Sequence, residues 1–233
     1  MSEMTMKVST YLDTSSDEMC HKLWDTPVVI ARPFPKEFVD QLREDVKEIV
    51  AGPGQFNYTD IWRLPNLPET LITVREKIIE LSEKYFRPYA EQPLPPLRIS
   101  KGYFREVLPG EYRVSPHKHT MNYGVAAFYI TAEKRNPGNL CLVDPRGGIN
   151  WLNQFTPYKR IQVEEGMLVL HPGYLLHYVE PTDYTDMKYD YRLALITGVK
   201  RDYDEFLEEL RVNDEFLRTF GANGINPNDK NKT

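Results

Sequence analysis

The chain has 233 residues, 41% hydrophobic and 27% charged, with a net charge of −5 and two cysteines. That length suits one buried core with extensions, the negative balance argues against a nucleic-acid footprint, and two cysteines do not make a disulfide scaffold. No stretch approaches the roughly 20 apolar residues of a membrane span and Met1-Ser-Glu-Met-Thr-Met-Lys7 lacks the apolar core of a secretion signal, so the expectation is a cytoplasmic protein with reduced thiols, Cys20 and Cys141.

In chain order, residues 1–22 are polar and read as a flexible N-terminal segment. Pro27-Val-Val-Ile-Ala-Arg-Pro33 reads as a strand, because β-branched residues lie between prolines. Pro35 opens a helix in which Phe38, Leu42, Val46 and Ile49 recur at helical spacing, and Ala51-Gly-Pro-Gly54 stops it. After a loop over 55–67, a second helix runs from about Pro68 to Phe86, with Leu71, Val74, Ile78, Leu81 and Tyr85 on one face. The proline-rich stretch from Pro88 to Pro96 closes this helical support region, 23–96.

From about Leu97 short β-type runs alternate with turn signals: 98–107, 114–121, 123–131, 139–144, 158–163, 166–171, 174–180 and 190–200. Eight such strands, with turns at Pro109-Gly110, Asn136-Pro-Gly138, Gly147-Gly148 and Glu165-Gly166, predict a sandwich or jelly roll over 97–201. A third helix is expected over about 202–219, followed by a polar tail to 233. The whole reads as one α+β domain: a jelly roll with N-terminal supporting helices and a C-terminal helix.

Three of the five histidines are placed for chemistry. His117 and His119 are two apart, so on an extended backbone they point to one face and can converge on one metal ion. His177 falls on a later strand and completes a facial set with open positions, the layout of non-haem Fe(II) oxygenases. The expectation is that the strands bearing these histidines and the last strand are neighbours in one sheet. Arg192 opens the apolar run Tyr191–Val199, where an unpaired charge is costly, and suits a dicarboxylate. It can instead pair with Asp190 as an ordinary salt bridge; Lys200 and Arg201 are then the alternatives. His171 and His21 read as packing residues, although His171 is close enough in sequence to His177 to line a pocket. Tyr129, Tyr174 and Tyr178 read as core or wall residues.

The stretch from Lys101 to Lys200 resembles the double-stranded β-helix (cupin-like) core of the Fe(II)/2-oxoglutarate-dependent oxygenases, in the bacterial and phage-type branch related to prolyl hydroxylases. The matching pieces come in order: Pro109-Gly-Glu-Tyr-Arg-Val-Ser-Pro-His-Lys-His119, Tyr123-Gly-Val125, Gly138-Asn-Leu-Cys-Leu-Val-Asp-Pro-Arg146, Glu165-Gly-Met-Leu-Val-Leu-His-Pro172, Leu175-Leu-His-Tyr-Val-Glu-Pro181 and Arg192. The resemblance implies Fe(II) and 2-oxoglutarate as cofactor and co-substrate, O2 as oxidant, and hydroxylation of a small molecule or a peptide side chain. It makes His117 the first metal ligand and His177 the last, Arg192 the anchor of 2-oxoglutarate, and Tyr103 and Arg105 further co-substrate contacts. No catalytic group is expected beyond the metal ligands. Arg146, Asn150 and Trp151, in the loop at the expected cleft mouth, are candidate substrate contacts. Where the superfamily usually has Asp or Glu, this chain has His119, either as a third ligand or standing behind a water. Two alternatives remain: a three-histidine cupin-type oxygenase that does not use 2-oxoglutarate, and a non-catalytic binding or structural module.

Overall fold

A computed structural model describes residues 15–23, 26–50, 60–89, 96–107, 114–132, 138–145, 158–181 and 192–202. Nine strands and two α-helices occur among them: β1 (Glu18–Leu23), β2 (Thr26–Ala31), α1 (Lys36–Val46), α2 (Glu69–Phe86), β3 (Leu97–Val107), β4 (Gly124–Thr131), β5 (Leu140–Val143), β6 (Tyr158–Ile161), β7 (Leu168–Pro172), β8 (His177–Val179) and β9 (Arg192–Arg201). Six strands form a major sheet in the order β1-β2-β7-β4-β9-β3, and three form a minor sheet in the order β6-β5-β8. All pairings are antiparallel.

The major sheet is buried on both faces, which explains why β4 is buried along its whole length. Side chains alternate across a strand. Ala126, Phe128 and Ile130 of β4, with Leu168, Leu170, Leu193 and Leu195, face outward and pack against Val39 and Leu42 of α1 and Leu71, Val74, Ile78 and Leu81 of α2. Ala127, Tyr129, Val169 and Ala194 face inward with Leu140 and Leu142 of the minor sheet. Two packed layers thus sandwich one sheet, and the interior between the sheets is where a site can form. Gly166 sits in the turn before β7 at φ 79°, a left-handed conformation that favours glycine there.

The helices follow the sequence reading closely. α2 presents the expected face, with Phe86 buried and Tyr85 only half-buried at its end. α1 stops at Val46, so Ile49 falls in the turn beyond it, and Val39 is buried where Phe38 is only partly so.

Three expectations differ from what is seen. Residues 18–23 do not belong to a loose N-terminal segment: they form β1 and pair with β2 over six positions. Residues 114–121 form no regular strand. Pro116 has no N–H to give a ladder, and the segment meets the minor sheet only through the His117 to His177 bridge and a bond from Val179 N–H to the Val114 carbonyl at 3.2 Å among the described residues. The histidines and Arg192 do not share a sheet either, since His177 is on β8 of the minor sheet and Arg192 on β9 of the major one. The expected third helix, and Arg146, Asn150 and Trp151, lie outside the described residues. No described helix is long and apolar enough to cross a membrane.

Candidate metal centre

The segment carrying His117 and His119 is pinned at both residues. His117 and His177 exchange backbone bonds: His117 N–H donates to the His177 carbonyl at 2.9 Å, and His177 N–H to the His117 carbonyl at 3.1 Å. His119 N–H donates to the Gly173 carbonyl at 2.8 Å. The turn after it closes when Asn122 N–H donates to the His119 carbonyl, and it rests on two glycines. A Cβ on Gly173 would lie 2.2 Å from the Asn122 backbone oxygen, and one on Gly198 would lie 2.4 Å from its Oδ1.

The result is a triangle of imidazoles. Ring centroids of His117, His119 and His177 are 4.4–5.2 Å apart, and one ligand atom from each lies within 4.8 Å of the others. His117 and His119 converge on one point as expected of a strand, although 117–119 do not form one. His117 Nδ1 is 2.8 Å from the Ser115 carbonyl and His177 Nδ1 is 2.9 Å from that of Leu175. A carbonyl only accepts, so in each ring Nδ1 carries the proton and Nε2 keeps its lone pair, the form of a metal-binding imidazole. Burial, with the positive charge of neighbouring rings adding to it, holds His177 at about 2 and His119 below its ordinary value. Both are therefore neutral at pH 7, as ligation requires. This all-nitrogen donor set fits a first-row divalent metal and leaves positions open on it.

The triangle opens on a cavity of about 510 Å³. Arg192, 3% exposed, lines it from β9 and Arg105 and Tyr103 from β3. Arg192 Nη1 donates to the Gly138 carbonyl at 2.7 Å, and its guanidinium carbon lies 5.8 Å from the centre of the Tyr129 ring. None of the described lining residues is acidic, so the wall favours an anion. The alternatives to Arg192 lie elsewhere: Lys200 and Arg201 border a separate groove with Arg98 and Thr120–Tyr123. Asp190 is outside the described residues. The sequence reading missed Tyr129 as a neighbour of Arg192. The signal was the alternation Val125, Ala127, Tyr129, which puts all three on the cavity face opposite Phe128. Burial raises the Tyr129 phenol to about 12, so it stays a neutral hydroxyl. His171 also lines the cavity. Of the other two tyrosines, Tyr174 is half exposed rather than core, and the Tyr178 phenol is engaged with the Cys141 thiol. His21 sits on β1, away from the cavity.

No protein-family model and no curated protein matches the chain. Solved structures do. The non-heme alpha-ketoglutarate-dependent carbocyclase SnoK from nogalamycin biosynthesis is 15% identical with a TM-score of 0.56, covering 75% of this chain and 79% of that one. HygX from Streptomyces hygroscopicus, with nickel and 2-oxoglutarate bound, is 15% identical with a TM-score of 0.53, covering 76% and 84%. A prolyl-4-hydroxylase of Pseudomonas putida is 16% identical with a TM-score of 0.54, covering 77% and 90%. At such identities the likeness establishes the fold: the chain has the double-stranded β-helix architecture of 2-oxoglutarate-dependent oxygenases, as its sequence motifs implied.

Proposed function

We propose that the chain is an Fe(II)- and 2-oxoglutarate-dependent oxygenase that couples decarboxylation of 2-oxoglutarate to hydroxylation of a small molecule or a peptide side chain. The observation that carries this reading is the convergence, in one cavity, of three imidazoles within ligand distance of one another and a buried arginine from the facing sheet. HygX, which holds nickel and 2-oxoglutarate together, supports the pairing of metal and co-substrate on this fold.

In this reading His117, His119 and His177 hold the iron. Bound iron supplies the activation of O2 and the oxidative chemistry. The protein binds and orients. Arg192, already steered by its bond to the Gly138 carbonyl, pairs with the distal carboxylate of 2-oxoglutarate. Tyr103 and Arg105 border the same anion, and Tyr129 offers a neutral hydroxyl beside Arg192. Val125, Ala127, Leu140, Val179, Ala194 and Ile196 keep the chamber apolar around these few polar groups. Arg146, Asn150 and Trp151, in the segment after β5, are the proposed substrate contacts.

The test is anaerobic titration of metal-free protein with Fe(II) and 2-oxoglutarate, following the visible charge-transfer band of a chelated 2-oxo acid. The band is expected in the wild type and absent in His177→Ala. In Arg192→Met the affinity for 2-oxoglutarate should fall about tenfold to a hundredfold, as loss of a hydrogen bond to a charged group costs about 1.5–3 kcal/mol. Iron binding without a band, together with activity that survives Arg192→Met, would instead favour the three-histidine oxygenase that uses no 2-oxoglutarate. The histidine at 119 is the observation that keeps that second reading alive. A protein that takes up no iron would be a binding module.

A further inference from the structure

His171 has no place in the ligand set or in the anchoring of a dicarboxylate, yet it is 1% exposed and lines the same cavity. It lies on β7 opposite Val125 of β4. Its ring centroid is 4.5 Å from that of His177, with the planes tilted by 58°. Its Nδ1 is 3.0 Å from the Pro172 carbonyl oxygen, so Nδ1 carries the proton and Nε2 is an acceptor. Among the described residues no donor meets that Nε2. Nε2 is not sealed in the core but open to the cavity, so it is available to a donor there, which a phenyl ring of similar shape could not meet.

The rest of the cavity defines what His171 can do. Arg105 and Arg192 are donors only, and the hydroxyls of Tyr103, Tyr129 and Ser115 serve either way. Once three imidazoles bind a metal, His171 Nε2 is the one side-chain atom among the described lining residues that can only accept. A direct fourth bond to the metal does not fit, because the nitrogens that lie within 4.8 Å of one another come from His117, His119 and His177 alone. The donor must come from something held beside the metal.

We propose that His171 is a positioning residue of the metal centre, its Nε2 accepting a hydrogen bond from a water or hydroxyl group on the open side of the metal. It thereby sets how many solvent ligands the resting centre keeps. This rests on the metal reading above. The sequence carries the signal: His171 is six residues before His177 and shares a strand face with Val169, which points into the interior.

Co(II) is the probe, because its visible bands report coordination number without any oxygen chemistry. Metal-free wild type, His171→Phe and His171→Gln are loaded with one equivalent, and circular dichroism checks each fold. The wild type should show the weak bands of a six-coordinate ion. His171→Phe should still bind Co(II) but lose a water, and its bands should intensify severalfold. In His171→Gln the amide oxygen can accept, and the spectrum should return toward the wild type. Superimposable spectra of wild type and His171→Phe would overturn the proposal. So would loss of Co(II) from His171→Phe, which would make His171 a ligand. Failure of the wild type to bind Co(II) would overturn the metal reading itself. Should His171→Phe not fold, 15N NMR of histidine-labelled wild type decides: Zn(II) loading should shift the His171 Nε2 resonance to lower frequency, as a hydrogen bond to its lone pair requires, and an unmoved resonance would overturn the proposal.

Discussion

His117 and His177 use the same local device, a ring Nδ1 bonded to the carbonyl two residues earlier in the chain. Each ring is thus set by its own backbone, and the two backbones are set by their reciprocal bridge. His119 has no such bond to either ring nitrogen among the described residues, so its orientation depends on the turn that follows it. The pair spacing was readable from residue type and number alone; this difference in restraint was not, because it depends on which carbonyls lie nearby. Cysteine chemistry also belongs at this scale. Cys141 is fully buried on β5, and burial pushes its thiol up to about 11. A raised thiol pKa means that the reactive thiolate is scarce at any pH below that value. Cys20 is only half-buried. Ellman's reagent at pH 8 should therefore titrate one thiol in the native protein and a second only in denaturant. Two fast-reacting thiols in the folded state would contradict the packing described for β5.

Among the elements, the turn from His119 to Tyr123 is closely hemmed in. It lies against Gly173, just after β7, and Gly198 on β9, and both approaches are too close for a Cβ. Gly173→Ala would drive a methyl group into the Asn122 and His119 carbonyls, so the turn must shift and carry His119 with it. Co(II) affinity measured by calorimetry is expected to fall at least tenfold, with the melting temperature changed far less; unaltered affinity would show that His119 does not depend on this turn. The same elements explain where the sequence reading succeeded and failed. Helical periodicity located α1 and α2 because one face of each packs on the sheet. β1 escaped it because Glu18-Met-Cys-His-Lys-Leu23 is short and largely polar, as an edge strand is. The runs that form β3 to β9 were legible along the chain, but their place in the sheets was not: the histidine strands and the last strand were expected side by side, and β8 lies in the minor sheet, since three residues carry no record of their partners.

In the molecule as a whole, the major sheet is a wall with a solid core on one side and the cavity on the other. Phe128 shows the first role: fully buried, it meets Phe34 edge-on at 5.8 Å beneath the helices. Phe128→Ala should cost about 3–5 kcal/mol in urea unfolding, and metal affinity should survive wherever the protein remains folded. A loss below about 1 kcal/mol would mean that this layer repacks freely. The alternation along β4 therefore has a practical meaning for anyone redesigning the protein. Positions 126, 128 and 130 are a dial for robustness, and 125, 127 and 129 are a dial for what the chamber admits. Adjacent residues on one strand serve opposite faces of the wall, so the cavity side can be altered while the packing that carries it is left untouched.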